Sequence, residues 1–224
     1  MTITLLQLRT QARQRADMEK SLLVSDTELT AYVNSSIAEL HDLLISAYES
    51  DYSISSNSFN TTAGTDTYAL PSDFYKLRGV DITVNSTVQN LQPFNFNERN
   101  VNQNQGWFIP GSAIPRYRTV GNNLVFSPKP DGAVPVKLWY IPVATKLVSD
   151  TDELSDLNQF AEYVIIDAAI KMLIKEESDV TVLMASKAAM VQRINSMAAN
   201  RDAGQGDSIS DIYTVDNLFT FGVR

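Results

Sequence analysis

The chain has 224 residues, a formal net charge of −8, one histidine and no cysteine. That length is enough to bury a sizeable core, and 44% hydrophobic with 20% charged residues is a globular balance, which excludes global disorder. The missing cysteine excludes disulfides and thiolate metal sites, and the acidic balance argues against gripping nucleic acid by phosphate neutralisation.

At the N-terminus, "MTITLLQLRTQARQRADMEK" lacks the unbroken apolar run of a signal peptide. No run approaches the roughly 18 apolar residues that span a bilayer. A soluble protein without a cleaved export signal is expected. Leu5, Leu8 and Ala12 trace one apolar stripe, with Arg9, Arg13 and Arg15 largely off it, which predicts a first helix. "SDTE" then offers a capping box, Ser25 as N-cap and Glu28 at the third helical position. Leu29, Val33, Ile37, Leu40 and Leu44 follow at spacings of three and four, the pattern of a second, amphipathic helix.

From about residue 51 to 147 the period shortens and turn residues recur. "SFNTTAGTDTYALP" reads as two short strands around Ala63-Gly64, and "LRGVDITV" and "VQNLQPFNF" as a pair across Asn85-Ser86. "NERNVNQNQ" is polar and aperiodic, a loop or short irregular helix. "RYRTVGNNLVFSP" predicts two strands around Gly121-Asn122-Asn123, and "PVKLWYIP" a last one after Asp131-Gly132. The stretch reads as an antiparallel β-module.

Helical period then returns. "SDTDEL" supplies acidic residues that suit a helix start. Leu157, Phe160, Ala161, Val164, Ala168 and Met172 mark one face, and Ile166, Ile170 and Leu173 another. A helix apolar around so much of its circumference is expected to be the most buried, with Lys171 on a more exposed flank. "EESD" interrupts it, and a fourth helix is expected over about 180–200 through Leu183, Met190, Ile194 and Met197. The predicted class is therefore α+β: a four-helix bundle with an antiparallel β-module inserted between the second and third helices, plus an extended C-terminal tail. The units fall at 1–50, 51–148, 149–201 and 202–224. In that tail, glycines and aspartates stand beside Ile212, Tyr213, Leu218, Phe219 and Phe221. These five residues are the candidate partner interface, because such apolar groups need a surface to offset the entropy of ordering.

Chemistry-bearing patterns are sparse. His41 sits beside Leu40 on the second helix, where a structural or surface role is the simpler reading, and no nucleophile–base motif surrounds it. Asp150, Asp152, Glu153 and Asp156, then Glu176, Glu177 and Asp179, read as a helix start and a helix end; their spacing does not match a calcium loop. Gly204-Gln205-Gly206 lacks the lysine and hydroxyl of a phosphate loop. "PRYR" and "KLRG" place cations near tyrosines as strand-face residues, and Trp107-Phe108 and Trp139-Tyr140 read as β-core or interface aromatics. No catalytic residue, metal ligand or cofactor-binding residue is assigned, and no cofactor is expected.

In order and spacing, several stretches carry a resemblance. "IPRYRTVGNNLVFSPKPDGAVPVKLWYIPVATKLVSDTDEL" runs into "QFAEYVIIDAAIKMLIKEE", and earlier come "LQLRTQARQRA", "SDTELTAYVNSSIAELHDLL" and "YALPSDFYKLRGVDI". Over about residues 3–200 the chain resembles the head-to-tail adaptor (connector) proteins of tailed bacteriophages. The resemblance implies a non-enzymatic structural protein that forms a ring, of twelve copies, beneath the portal. Its partners would be the portal, nozzle or tail-tube proteins and other copies of itself, with genomic DNA passing through the channel without sequence-specific binding. It implies a place in the virion at the head–tail interface, after synthesis in the bacterial cytoplasm, and no membrane association. Another virion structural role, as a tail-completion or head-decoration component, is the first alternative. A virion-associated glycan hydrolase using two carboxylates is the second.

Overall fold

The computed structural model describes residues 2–48, 52–100, 107, 115–155 and 157–199. Within them the chain is mixed α+β, with four helices and two four-stranded sheets. The helices are α1 (Leu5–Arg15), α2 (Asp26–Ala47), α3 (Ala161–Glu176) and α4 (Thr181–Ala199). The strands are β1 (Ser55–Asn60), β2 (Thr67–Ala69), β3 (Phe74–Val84), β4 (Thr87–Asn90), β5 (Gln92–Pro93), β6 (Arg116–Val120), β7 (Asn123–Ser127) and β8 (Pro135–Pro142).

Helix α1 begins with a complete capping box at Thr4–Gln7. The Thr4 hydroxyl accepts from the Gln7 amide, and the Gln7 side chain accepts from the Thr4 amide. At α2 only half of the expected box forms. Ser25 accepts from the Glu28 amide at 3.2 Å, but the Glu28 carboxylate turns away to Lys175 at 2.6 Å and to the Tyr32 hydroxyl at 2.7 Å. A full ammonium on a neighbouring helix attracts a carboxylate more strongly than one backbone amide does. The acidic "SDTDEL" segment is a second correction: α3 starts only at Ala161, after a 3-10 turn at Asn158–Phe160. That segment closes the start of α1 instead. The Leu5 and Leu6 amides, orphans of the first helical turn, donate to the Asp152 and Asp150 carbonyls at 2.9 and 3.2 Å.

Apolar residues of α1, α2 and α3, with Ile194 of α4, share one core with Leu147, Leu154 and Leu157. All five predicted positions of α2 are buried, and ten of the sixteen residues of α3 are buried, which makes it the most enclosed helix. Helix α3 ends where Glu177 adopts the left-handed conformation (φ 61°), so that the Glu177 and Ser178 amides close onto the Ile174 and Leu173 carbonyls.

One sheet runs β1-β8-β3-β4 and the other β2-β7-β6-β5. Their inner faces meet over a second core, in which Val80, Ile82, Val136, Leu138 and Tyr140 of the first sheet face Tyr117, Leu124 and Phe126 of the second. The two strands predicted around Ala63-Gly64 exist, but β1 pairs with β8 and β2 with β7, so the chain crosses from one sheet to the other there. The turn at Asn85-Ser86 is as expected. Val84 pairs with Thr87, and both turn residues take positive φ (49° and 64°), the conformation that matches strand twist in a two-residue hairpin. Gly121 and Asn122 form the two-residue turn between β6 and β7, with positive φ (58°) at Gly121 but not at Asn122. The expectation of a wholly antiparallel module fails at one place, where β5 pairs with β6 in parallel. More than twenty residues separate those strands, enough for the crossover that a parallel pair requires.

Candidate functional site

The strongest electrostatic feature is a carboxylate in the middle of the apolar run "YVIIDAAIK" of α3. Asp167 is 3% exposed and bonds three groups from three helices. The Lys187 ammonium of α4 lies 2.5 Å from Oδ1, the Lys171 ammonium 2.7 Å from Oδ2, and the Ser36 hydroxyl of α2 donates to Oδ2 at 2.6 Å. Glu39 of α2 closes the network, 2.8 Å from Lys171 and 3.2 Å from Lys187. Lys171 is thus not on an open flank: its side chain is 22% exposed and joins α2 to α3. Its register toward Asp167 is i, i+4, a spacing that was legible but lay inside a run read only for its apolar face.

Burial of Asp167 favours its neutral form, yet the hydrogen bonds from Lys171, Lys187 and Ser36 outweigh it and hold the carboxyl below its ordinary 3.8. Lys187 is correspondingly held above its ordinary 10.5: burial opposes the charge, and the Asp167 carboxylate more than offsets it. The stabilisation from Asp167 is full above pH 3.8 and is lost as pH falls through the lower folded value. That from Lys187 is full below pH 10.5 and is lost as pH rises through its higher folded value. Between those limits the clamp is a charged latch that fastens α4 to α2 and α3.

A second feature joins helices to sheet. His41 of α2 is buried and packs edge-on against Tyr75 of β3, ring centroids 5.7 Å apart, while the Tyr75 hydroxyl donates to Asp42 at 2.8 Å. A small cleft of about 50 Å3 lies here, lined by His41, Ile37, Pro142, Leu147, Glu153 and Leu154 among others. Asn34 locks the same connection, its side chain donating to the Leu147 carbonyl and accepting from the Leu147 amide at 2.9 and 2.8 Å. Burial lowers the affinity of His41 for a proton, only partly opposed by Asp42 and the Pro142 carbonyl. Because the folded chain resists a proton that the unfolded chain accepts, stability should fall as pH drops below the ordinary histidine value of 6.5. His41→Phe should flatten that part of the urea-unfolding profile between about pH 5 and 6.5 while leaving the alkaline side unchanged. An identical slope in both proteins would show that another group titrates.

Other sequence candidates are placed as follows. Trp107 and Tyr140 lie in the β core, and Trp139 is half-buried with its indole N–H donating to Asp81 at 2.7 Å. Phe108 and Asp156 lie outside the described residues, as do the interface candidates Ile212, Tyr213, Leu218, Phe219 and Phe221. Asp152 is held below its ordinary value by the Val148 and Ser149 amides, and Asp179 by Thr181, so each serves local backbone structure. Among the described residues no three histidine or carboxylate groups gather as a metal-ligand set, and no helix is long and apolar enough to cross a membrane.

Charged groups thus fasten the helices to one another, and a buried histidine packs where a helix meets a sheet. The family model described as SU10 adaptor protein matches residues 3–210, nearly the whole chain, and the protein belongs to that family of phage head-to-tail adaptors. None of the curated proteins matches the chain.

Proposed function

We propose that the protein assembles as a ring that joins the portal to the tail and continues the DNA channel. The observation that carries this reading is family membership over residues 3–210, which spans all four helices and both sheets. The ring, of twelve copies by the usual symmetry of portals, would bind the portal on one side and nozzle or tail-tube proteins on the other. It would act as a virion component without catalysis. The helices form the bundle that builds the ring wall, and the β-module, whose eight strands all fall between α2 and α3, projects from it to meet neighbours. Separate apolar cores for helices and sheets support that division. With a charge of −8 per chain, about twelve copies carry of order −100, a field that keeps passing DNA from adhering to the wall.

Residues 202–224 are the assembly arm, docking on the portal or on a neighbouring subunit through Ile212, Tyr213, Leu218, Phe219 and Phe221. Electron microscopy of the protein mixed with its portal tests the whole reading. A ring on the portal's narrow end is the expected image, and deletion of residues 203–224 should abolish attachment with the melting temperature nearly unchanged. A full-length protein that never binds portal would sink the adaptor ring, and a truncated one that attaches normally would remove the arm.

A further inference from the structure

The edge of the second sheet carries a cationic stack in an otherwise acidic chain. Phe96, 48% exposed, has two guanidiniums against its ring, Arg99 at 4.7 Å and Arg118 at 5.8 Å from the centroid. Arg99 donates to the Phe96 carbonyl at 3.1 Å and Arg118 to the Phe94 carbonyl at 2.9 Å. Neither meets a carboxylate among the described residues, whereas nearby Arg116 and Lys129 are paired with Glu98 and Asp66 at 3.4 and 3.6 Å. Beside the stack lies a cleft of about 180 Å3 walled by Phe94, Val125, Phe126 and Pro128, with Arg99 and the Lys129–Asp66 pair also lining it.

An occupant that satisfies this face must bring carboxylates next to apolar side chains. Duplex DNA would supply the negative charge but nothing to fill an apolar hollow. One segment of the chain itself supplies both. Residues 202–224 carry four aspartates against one arginine, and in Asp211-Ile212-Tyr213 and Asp216-Asn217-Leu218-Phe219 an acid precedes an aromatic by two or three residues. We propose that the Arg99–Phe96–Arg118 stack and its cleft receive the C-terminal segment of a neighbouring copy. Asp211 and Asp216 meet the guanidiniums in charge-assisted hydrogen bonds, and Tyr213 or Phe219 fills the hollow. The assignment rests on the assembly reading above and names the acceptor of its arm. No side chain of the second sheet belongs to the helical core from which that arm departs. The 25 residues from 200 to 224 reach up to roughly 80 Å when extended, enough to cross to an adjoining subunit.

The test uses the full-length protein and a fluorescein-labelled peptide of residues 205–224, followed by anisotropy. The peptide should bind the wild type, more weakly as salt rises, and the double variant Arg99→Glu/Arg118→Glu should weaken it by about tenfold or more. A peptide carrying Asp211→Lys and Asp216→Lys should show the reverse preference. Thermal melts report whether the double variant is folded, and Arg99→Gln/Arg118→Gln, which only removes charge, serves in its place if it is not. Equal affinity for wild type and variant overturns the proposal. So does binding confined to a full-length protein whose own tail carries Asp211→Lys and Asp216→Lys when sedimentation shows the wild type to be monomeric, since each chain would then fill its own cleft. Patch-dependent binding of short duplex DNA without peptide binding overturns it in favour of a phosphate site. If Arg99→Glu/Arg118→Glu protein still forms a ring on portal while tail-deleted protein does not, the arm stands and this acceptor falls.

Discussion

Asp167→Ala should lower stability by about 2–4 kcal/mol, or a melting temperature lower by roughly 5–15 °C, without changing the class of secondary structure. The substitution leaves Lys171 and Lys187 facing one another, with Glu39 as their shared counter-charge, and leaves the buried Ser36 hydroxyl without its carboxylate. Lys187→Met is expected to cost less, because Asp167 keeps Lys171 and Ser36. Lys171→Asp is expected to be severe, since it sets a third carboxylate beside Asp167 and Glu39 where an ammonium belongs. The pH profile gives a second readout. Wild-type stability should decline with acid as Asp167 is forced to protonate below its unfolded value of 3.8, and Asp167→Ala should lack that component. A variant melting within a degree or two of wild type would show that the network is a surface ornament rather than a latch.

Ala168→Asp, one residue along the same helix, is expected to prevent folding. Ala168 is fully buried in the helical core, with Val164 and Met172 one turn away on either side, both also buried. A carboxylate there would be placed in the apolar core. Its desolvation costs several kcal/mol, a large part of the total stability of a domain. Ile174→Asp on the same helix is the matched control: Ile174 is 57% exposed, so its charge stays in water and the melt should move little. Expression in the soluble fraction and circular dichroism separate the two, and equal melting curves would mean that the buried face of α3 has been misplaced.

The helices were legible because their apolar spacing is local. Leu29, Val33, Ile37, Leu40 and Leu44 recur once per turn whatever they pack against, and the structure buries all of them. The hairpin at Asn85-Ser86 was legible for a similar reason, since both residues tolerate the positive φ that a two-residue turn imposes. Which strand pairs with which was not legible. "SFN" and "TYA" flank one turn but join different sheets, because their partners, β8 and β7, arrive roughly eighty and sixty residues later. Glu28 shows the same limit in one side chain. Its place three residues after Ser25 predicts a reach back to the backbone, and only the approach of Lys175 from α3 redirects it.

The sequence by itself therefore determined the helical faces and the hairpin turns, both properties of neighbouring residues and their backbone preferences. Tertiary structure alone decided the latch at Asp167, the seam at His41 and the Arg99–Phe96–Arg118 stack. Each of these adds to any local pair a group from a distant part of the chain, Lys187 and Ser36 at Asp167, Tyr75 at His41 and Arg118 at Phe96, and the energy of a charge or a ring contact depends on distance and burial in space.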